Sequence, residues 1–521
     1  MRICIAQLDF HIGNFEQNTQ KMLDAIQVAK GHKADLVCFS ELATCGYPPR
    51  DFLEFNDFIR RSNASIDLLA AAADTIAVIV GAPAINPVVE GKDLYNAAYL
   101  LYEGEIRQVF RKALLPTYDV FDEYRYFEPA HSFSTLDFKG VRLAITICED
   151  LWNLGNENPL YTICPMDELM PAQPQVMINI SASPFAWDHA AERIHVLKAN
   201  VERYQLPLFY VNHCGAQTEL LFDGGSLIFS PDGQVHDELP YFKEAIRTYE
   251  LEDVIRGGIQ HEQLKDKNRL IHDSLVMGIG DYFRKLGFKK AILGLSGGID
   301  SALSTVLAVR ALGKENVRVL LMPSSFSSQH SVDDARKLAE NLDIQYDIIP
   351  ISTVYDSYLE TLNPYFNDLP FNVTEENIQA RIRGMLLMGF SNKFGHILLN
   401  TTNKSEMAVG YGTLYGDLCG GLSVIGDVYK TEVYDLCNWI NAEAEIIPWN
   451  TINKPPSAEL RPNQKDSDSL PEYDILDPIL YQYIEKTQGP QEIIAQGFEE
   501  KTVLRILRLV NINEFKRHQT A

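Results

Sequence analysis

The sequence predicts an α/β protein of two domains: an N-terminal α-β-β-α sandwich over residues 1–260 and a C-terminal doubly wound parallel sheet over residues 267–521. The chain has 521 residues, well beyond the usual size of one domain. Short apolar strands alternate with helically spaced stretches through the first half. A strand–loop–helix pattern then restarts after a polar, glycine-containing interruption near residues 256–269.

In the first half the expected strands are Arg2–Gln7, Ala34–Phe39, Ile76–Gly81, Ala97–Leu101, Arg142–Cys148, Val176–Ile180 and Leu208–Val211. Helical spacing falls between them at Asn18–Lys30 and Ala190–Tyr204. The segment DGGSLIFSPDGQV, from Asp223 to Val235, reads as a β-hairpin, because SPDG places Pro and Gly where a tight turn needs them. Arg256-Gly257-Gly258 and the charged run HEQLKDKNR close this half. An amphipathic helix follows, with Ile271, Leu275, Ile279, Phe283 and Leu286 on one stripe and Gly287 at its C-cap.

The second half runs from a strand at Lys290–Leu295 through the loop SGGIDS to a helix at Ala302–Leu312. Further strands are expected at Val317–Met322, Tyr346–Ile351 and Ile397–Asn400, with Ser331 capping a helix after the first of these. The stretch Lys454–Tyr473, KPPSAELRPNQKDSDSLPEY, is rich in proline and charge. Its composition suits a solvated linker and an active-site lid equally.

Composition excludes several classes. With 46% apolar and 22% charged residues, the chain is neither mostly disordered nor fibrous. A net charge of −24 repels phosphate backbones and anionic lipids, so neither a nucleic acid nor a membrane is an expected partner. The eight cysteines form no CxxC pairs, which excludes a disulfide framework and a structural zinc site. The opening MRICIAQLDF lacks the long apolar region of a signal peptide, and no apolar run reaches the ~18 residues of a membrane span. A cytoplasmic protein is expected.

The string AILGLSGGIDSAL carries the most chemistry. Apolar residues lead through Gly294 and Leu295 into Ser296, Gly297 and Gly298, and the chain then enters a helix at Ile299, Asp300 and Ser301. Free N–H groups at a helix start, with no Cβ at two positions, make a close-fitting anion site. Asp300 belongs beside phosphate only if a cation lies between them, which points to Mg²⁺ and a nucleotide. The string resembles the signature of the PP-loop, or ATP pyrophosphatase, family, which attacks the α-phosphate of ATP. Downstream, MPSSFSSQHSVDDA from Met322, NIQARIRGMLLM from Asn377 and TTNKSEMAVGYGTLYGD from Thr401 together resemble the family's NAD synthetase branch.

That resemblance implies ATP contacts at residues 294–301, Thr401 and Ser457. It implies Mg²⁺ on Asp300 and Glu406, and a deamido-NAD⁺ site at Asn377, Arg381, Glu406 and Lys516. It also matches the stretch after Ser457 to a mobile loop, which favours a lid, and it implies a homo-oligomer.

In the first half three strings stand at expected strand ends: SELATCGYPPRD with Glu41, FRKALLPTYDVFDEYRYFEP with Lys112, and ITICEDLW with Cys148. A thiol that attacks an amide needs a base for its proton, and positive charge or N–H donors for the oxyanion. A Glu, a Lys and the Glu149 N–H supply these. Their spacing and flanks resemble the carbon–nitrogen hydrolase, or nitrilase, family. The resemblance assigns Cys148 as nucleophile, Glu41 as general base and acid, and Lys112 as oxyanion stabiliser. It places Glu128 as a supporting second carboxylate, and Tyr118 and Ser183 in a glutamine site. Six residues beyond Ser183, where this branch usually carries Lys, the chain has His189.

Together these resemblances imply an enzyme that hydrolyses glutamine to glutamate and ammonia through a cysteine thioester. With ATP and Mg²⁺ it would adenylate deamido-NAD⁺ and amidate it to NAD⁺, releasing AMP and pyrophosphate. Free ammonia is mostly protonated at neutral pH, so making it in a dry site preserves its nucleophilicity. Another PP-loop amidotransferase and a non-catalytic nucleotide-binding protein are the alternatives.

Overall fold

The strand Arg2–Gln7 shows how the first half layers itself. Ile3 and Ile5 join one buried cluster and Cys4 and Ala6 another, because successive side chains leave a strand on opposite faces. A strand apolar on both faces must be covered on both. In the computed structural model, which describes residues 1–156, 160–217, 219–258, 266–367, 369–462 and 464–521, it is covered by a second sheet and by helices. The described chain forms two compact units, Met1–Tyr282 and Phe283–Ala521. The helix Lys267–Leu286 spans the division. Residues 259–265 of the expected linker lie outside the described residues.

The first unit holds two six-stranded sheets. One is ordered Ala245–Glu250, Arg2–Gln7, Leu36–Cys38, Ala77–Ile85, Leu94–Tyr102, Glu105–Arg111. The other is ordered Val235–Glu238, Leu227–Phe229, Leu208–Asn212, Val176–Ser181, Val141–Ile147, Leu136–Phe138. Ile5, Cys38 and Ile79 of the first share one core with Ile147, Ile178 and Val211 of the second, so the sheets pack face to face. Helices Phe15–Gly31 and Asn56–Ala72 cover the outer face of the first sheet, through Met22, Ile26, Ile66 and Leu69. Helix His189–Tyr204 covers the second through Leu197 and Val201. The expected α-β-β-α sandwich is present, and so is the hairpin, as Leu227–Phe229 paired antiparallel with Val235–Glu238.

The second unit is built on a five-stranded, all-parallel sheet. Its order is Gln345–Ile348, Val317–Leu321, Ala291–Gly294, Ile397–Asn400, Leu422–Ser423. The direction of winding reverses beside Ala291–Gly294, and open α/β sheets bind ligands at that point, beyond the carboxyl ends of the strands. Three expectations need correction. Ser328, not Ser331, caps the helix Gln329–Asn341, and its side chain accepts the Ser331 N–H. The helix after SGG begins at Ile299 rather than Ala302, so the loop opens into it directly. The strand expected to reach Ile351 ends at Ile348, since Ile351 already caps the helix Ser352–Phe366.

Candidate active sites

In the first unit, three strand ends deliver the expected residues to one buried place. Glu41 follows Leu36–Cys38, Lys112 follows Glu105–Arg111, and Cys148 follows Val141–Ile147. The strand Ala77–Ile85 passes so close to the Glu41 turn that a Cβ on Gly81 would lie 2.3 Å from Leu42 N. Only glycine allows that approach. Cys148 has φ +44, the left-handed conformation that turns the chain sharply at the thiol.

Lys112 is fully buried. Its ammonium donates to Glu41 Oε1 at 2.7 Å and to Glu123 Oε1 and Oε2 at 2.8 and 2.9 Å. Asn96 Nδ2 donates to Glu41 Oε1 at 2.7 Å, and the Ala182 N–H donates to Glu41 Oε2 at 3.0 Å. Tyr47 Oη donates to Glu123 Oε1 at 2.8 Å. Burial works to lower the Lys112 pKa, but Glu123 and Glu41 outweigh it and hold the amine well above its ordinary value, as an ammonium. Burial, with Glu41 adding to it, pushes the Cys148 thiol up against the pull of Lys112. The thiol therefore rests protonated, and attack requires a base beside it.

The second carboxylate differs from expectation. Glu123 holds Lys112, whereas the Glu128 carboxylate faces away and accepts the Lys92 N–H at 3.0 Å. The short helix Glu123–Arg125 turns Glu123 inward at 5% exposure.

Around this array, Tyr118 Oη and Tyr161 Oη donate to Glu149 at 3.0 and 2.8 Å. Ser183 N–H donates to Asn212 Oδ1 at 2.9 Å, and its hydroxyl lies 3.2 Å from His189 Nε2. The His189 ring stacks on Trp152 with centroids 5.4 Å apart. Burial, assisted by Arg193, lowers its pKa to about 4, so the imidazole is neutral at pH 7.

In the second unit, the SGGIDS loop sits at the switch point. Gly297 has φ +86, and a Cβ there would lie 2.2 Å from the Ser331 carbonyl oxygen. Ser296 and Ser301 are linked through their hydroxyls at 3.1 Å, and the Gly298 N–H donates to Ser296 Oγ at 3.2 Å. Gly294, Leu295, Ser296, Gly298, Ile299, Asp300, Ser301, Thr401, Glu406 and Ser457 all line one cavity of about 310 Å³.

Asn377, Arg381 and Lys516 lie elsewhere. They gather on the adjoining 410–414 segment, where Thr413 Oγ1 donates to Asn377, Arg381 Nε to Leu414 O, and Lys516 Nζ to Gly410 O and Gly412 O.

Lys430, which sequence reasoning missed, joins the expected carboxylates. Its ammonium lies 2.5 Å from Asp300 Oδ2 and 3.2 Å from Glu406 Oε1, and Asn403 Nδ2 donates to Asp300 Oδ1 at 2.8 Å. Lys430 opens the helix Lys430–Ile440, where the helix dipole disfavours a cation. A lysine at that position was the available signal.

Burial pushes Glu406 up to about 8 despite Lys430, with Asp300 and Asp466 adding to the rise. Among the described residues no group of three or more His, Cys, Asp or Glu is arranged to hold a metal ion. A cation beside Asp300 and Glu406 would favour the charged form of both carboxylates, and oxygen donors of this kind suit a hard divalent ion.

From the Lys454–Tyr473 stretch, residues 454–460 and Asp466 line this cavity. Glu459 accepts from the Ser328 and Ser331 hydroxyls at 2.8 and 2.9 Å, Lys454 Nζ donates to Asp334 at 3.1 Å, and Gln379 Nε2 donates to Leu460 O at 2.9 Å.

The carbon–nitrogen hydrolase family profile matches residues 2–257, and the NAD synthase profile matches residues 271–520. The whole chain aligns at 46% identity with a glutamine-dependent NAD(+) synthetase of Synechocystis sp., covering 95% of it. It aligns at 40% identity with a protein of the same description from Acinetobacter baylyi, covering 94% of it. The structure of glutamine-dependent NAD⁺ synthetase from Acinetobacter baumannii in complex with adenosine diphosphate superposes with a TM-score of 0.82 at 37% identity. That match covers 100% of this chain and 94% of the other.

Proposed function

The chain belongs to the family of glutamine-dependent NAD(+) synthetases, and from that premise we propose that each compact unit performs one half of the reaction. The glutaminase half occupies residues 1–260 and the synthetase half residues 267–521. The buried Glu41–Lys112–Glu123 array beside Cys148 carries the first assignment.

In the first unit, Glu41 takes the Sγ–H proton as Cys148 attacks the carboxamide carbon of glutamine. Lys112 Nζ and the Glu149 N–H receive the oxyanion. Glu41 returns the proton to the departing nitrogen, releasing ammonia and leaving a thioester. Water, deprotonated by Glu41, then attacks the thioester and releases glutamate, and the proton returns to sulfur. Glu123 holds Lys112 as an ammonium aimed at this place. Tyr118, Ser183 and His189 bind the glutamine backbone. With His189 neutral, hydrogen bonds rather than a formal charge at that position meet the α-carboxylate.

In the second unit, the loop 294–301, Thr401 and Ser457 bind ATP, and the N–H groups at the start of helix Ile299–Leu312 face its phosphates. Asn377, Arg381, Glu406 and Lys516 bind deamido-NAD⁺. Its nicotinate carboxylate attacks the α-phosphorus, pyrophosphate leaves, and ammonia displaces AMP from the acyl-adenylate to give NAD⁺. Asp300 and Glu406 would hold Mg²⁺, which neutralises charge on the departing pyrophosphate. Lys430 adds fixed positive charge at the same place. The Lys454–Tyr473 stretch acts as a lid that excludes water from the adenylate.

Tyr365, Leu369, Val373 and Met385 lie exposed on or between the helices Ser352–Phe366 and Val373–Phe394, and support a homo-oligomer formed through them. All eight cysteines are free thiols, which supports a reducing, cytoplasmic location; no helix among the described residues is long and apolar enough to cross a membrane.

The test is stoichiometric. With glutamine, ATP, Mg²⁺ and deamido-NAD⁺ supplied, equal amounts of NAD⁺, AMP, pyrophosphate and glutamate should form. Glutamate formation without NAD⁺ under these conditions would refute the assignment of the second unit.

A further inference from the structure

Asp150, the last residue of ICED, is unused by the chemistry above, yet it is 3% exposed and fully hydrogen-bonded. All three of its bonds come from backbone. Oδ1 accepts the N–H groups of Ala113 at 2.9 Å and Leu114 at 3.0 Å, and Oδ2 accepts the N–H of Ile147 at 3.0 Å. Ala113 and Leu114 directly follow Lys112, and Ile147 directly precedes Cys148. The strand leading to Lys112, Glu105–Arg111, belongs to one sheet, and the strand leading to Cys148, Val141–Ile147, belongs to the other. One planar carboxylate thus ties together the two chain segments that carry the ammonium and the thiol.

We propose that Asp150 is a positioning residue that sets the reach from Lys112 Nζ to the oxyanion formed on Cys148. This rests on the glutaminase reading of the first unit. The Lys112 side chain has four rotatable bonds, and its end is fixed by Glu41 and Glu123; its base is fixed only through its backbone. A carboxylate that accepts three N–H groups cannot rotate without losing one of them, and its two oxygens hold the two segments at a set spacing. Burial raises Asp150, and the N–H groups of Leu114, Ile147 and Ala113, together with Lys112, hold the rise to about 6. A misplacement of about 1 Å between catalytic groups costs about 10²-fold in rate. The bond pattern also distinguishes a clamp from a charge. An amide in place of the carboxylate can still accept from Ala113 and Leu114, but its NH₂ group meets the Ile147 N–H donor to donor.

The experiment compares Asp150→Asn and Asp150→Glu with the unaltered full-length enzyme. Glutaminase kcat is measured per Cys148 thiol titrated by an alkylating reagent, alongside the glutamine KM, the thermal midpoint and ammonia-driven NAD⁺ synthesis. Both variants should lose about tenfold or more in kcat per titrated thiol, while KM shifts by less than about threefold. Ammonia-driven synthesis should stay normal in both, showing that the rest of the chain is folded. Asp150→Glu keeps the charge but lengthens the arm, so it should fail as Asp150→Asn does.

Unchanged kcat per titrated thiol with a lowered thermal midpoint would overturn the proposal, because the residue would then serve stability alone. A raised KM with kcat preserved would overturn it in favour of substrate binding, and so would loss of the folded first unit in both variants in favour of stability. Absence of glutaminase activity in the unaltered enzyme would instead sink the reading of the first unit.

Discussion

Both oxygens of the Glu123 carboxylate accept hydrogen bonds from the Lys112 ammonium, at 2.8 and 2.9 Å. Glu41 also bonds this ammonium, but in the proposed reaction Glu41 takes up and returns a proton, and while it is protonated Glu123 alone would hold Lys112 in place. Replacing Glu123 with Gln leaves the buried amine half-paired and freer to move. Glutaminase kcat should fall by about 10²-fold, the range seen when an oxyanion donor is lost, with ammonia-driven NAD⁺ synthesis unaffected. Steady-state assays with each nitrogen source check this, and equal losses in both would contradict it.

Cys148→Ala should abolish NAD⁺ synthesis from glutamine and leave synthesis from ammonium salts intact. The raised thiol pKa calls for a base, and with Glu41 as the proposed one Glu41→Gln should show the same split. A Cys148→Ala enzyme that still consumed glutamine would show the nucleophile to be elsewhere.

Lys430 pairs with both Asp300 and Glu406, and its removal leaves these two half-buried carboxylates without their shared cation. Lys430→Ala and Asp300→Ala should each stop synthesis from both nitrogen sources while glutamine hydrolysis continues. Pyrophosphate release is the measurement, and normal ammonia-driven release in either variant removes that residue from the adenylation centre.

The pKa of His189 falls from 6.5 to about 4 on folding. Below pH 6.5 the unfolded chain binds a proton at this ring that the folded chain refuses. The contribution, up to about 3 kcal/mol, is therefore present above pH 6.5 and lost as pH falls toward 4. A His189→Gln variant should lose less stability than the unaltered chain between pH 6.5 and 4.5, measured by urea denaturation. An imidazole titrating near 6.5 in NMR spectra of the folded protein would refute the neutral-ring description.

Glu459, with φ +49, reaches from the 454–473 stretch to the hydroxyls of Ser328 and Ser331. Glu459→Ala removes these two bonds and a third from the Ser328 N–H, and should raise the ATP KM several-fold, by about 1 kcal/mol in binding. It should also speed tryptic cleavage after Lys465, since Lys454 and Arg461 are each followed by proline. Unchanged proteolysis and ATP KM would mean that Glu459 does not hold the stretch down.

Much of this was legible in the sequence, for particular reasons. Glu41, Lys112 and Cys148 end apolar strands inside long, distinctive strings, and the SGGIDS loop announces itself by its position between strand and helix. The choice between Glu123 and Glu128 was not legible. Both lie in VFDEYRYFEP, and only the turn at Glu123–Arg125 decides which carboxylate points inward. Ser328 and Ser331 lie three residues apart in a serine-rich run, and the cap went to the residue where the chain leaves its extended conformation. The edge strand Leu422–Ser423 is too short to carry any periodic pattern.

In the proposed reaction, nitrogen freed at Cys148 in the first unit becomes the amide of the dinucleotide made in the second. Glutamine labelled with ¹⁵N in its side-chain amide, supplied with ATP, Mg²⁺ and deamido-NAD⁺, tests it by mass spectrometry of the product. NAD⁺ carrying the label, formed by the unaltered enzyme and not by Cys148→Ala, is the predicted result. Unlabelled NAD⁺, or label that persists in the Cys148→Ala product, would contradict it.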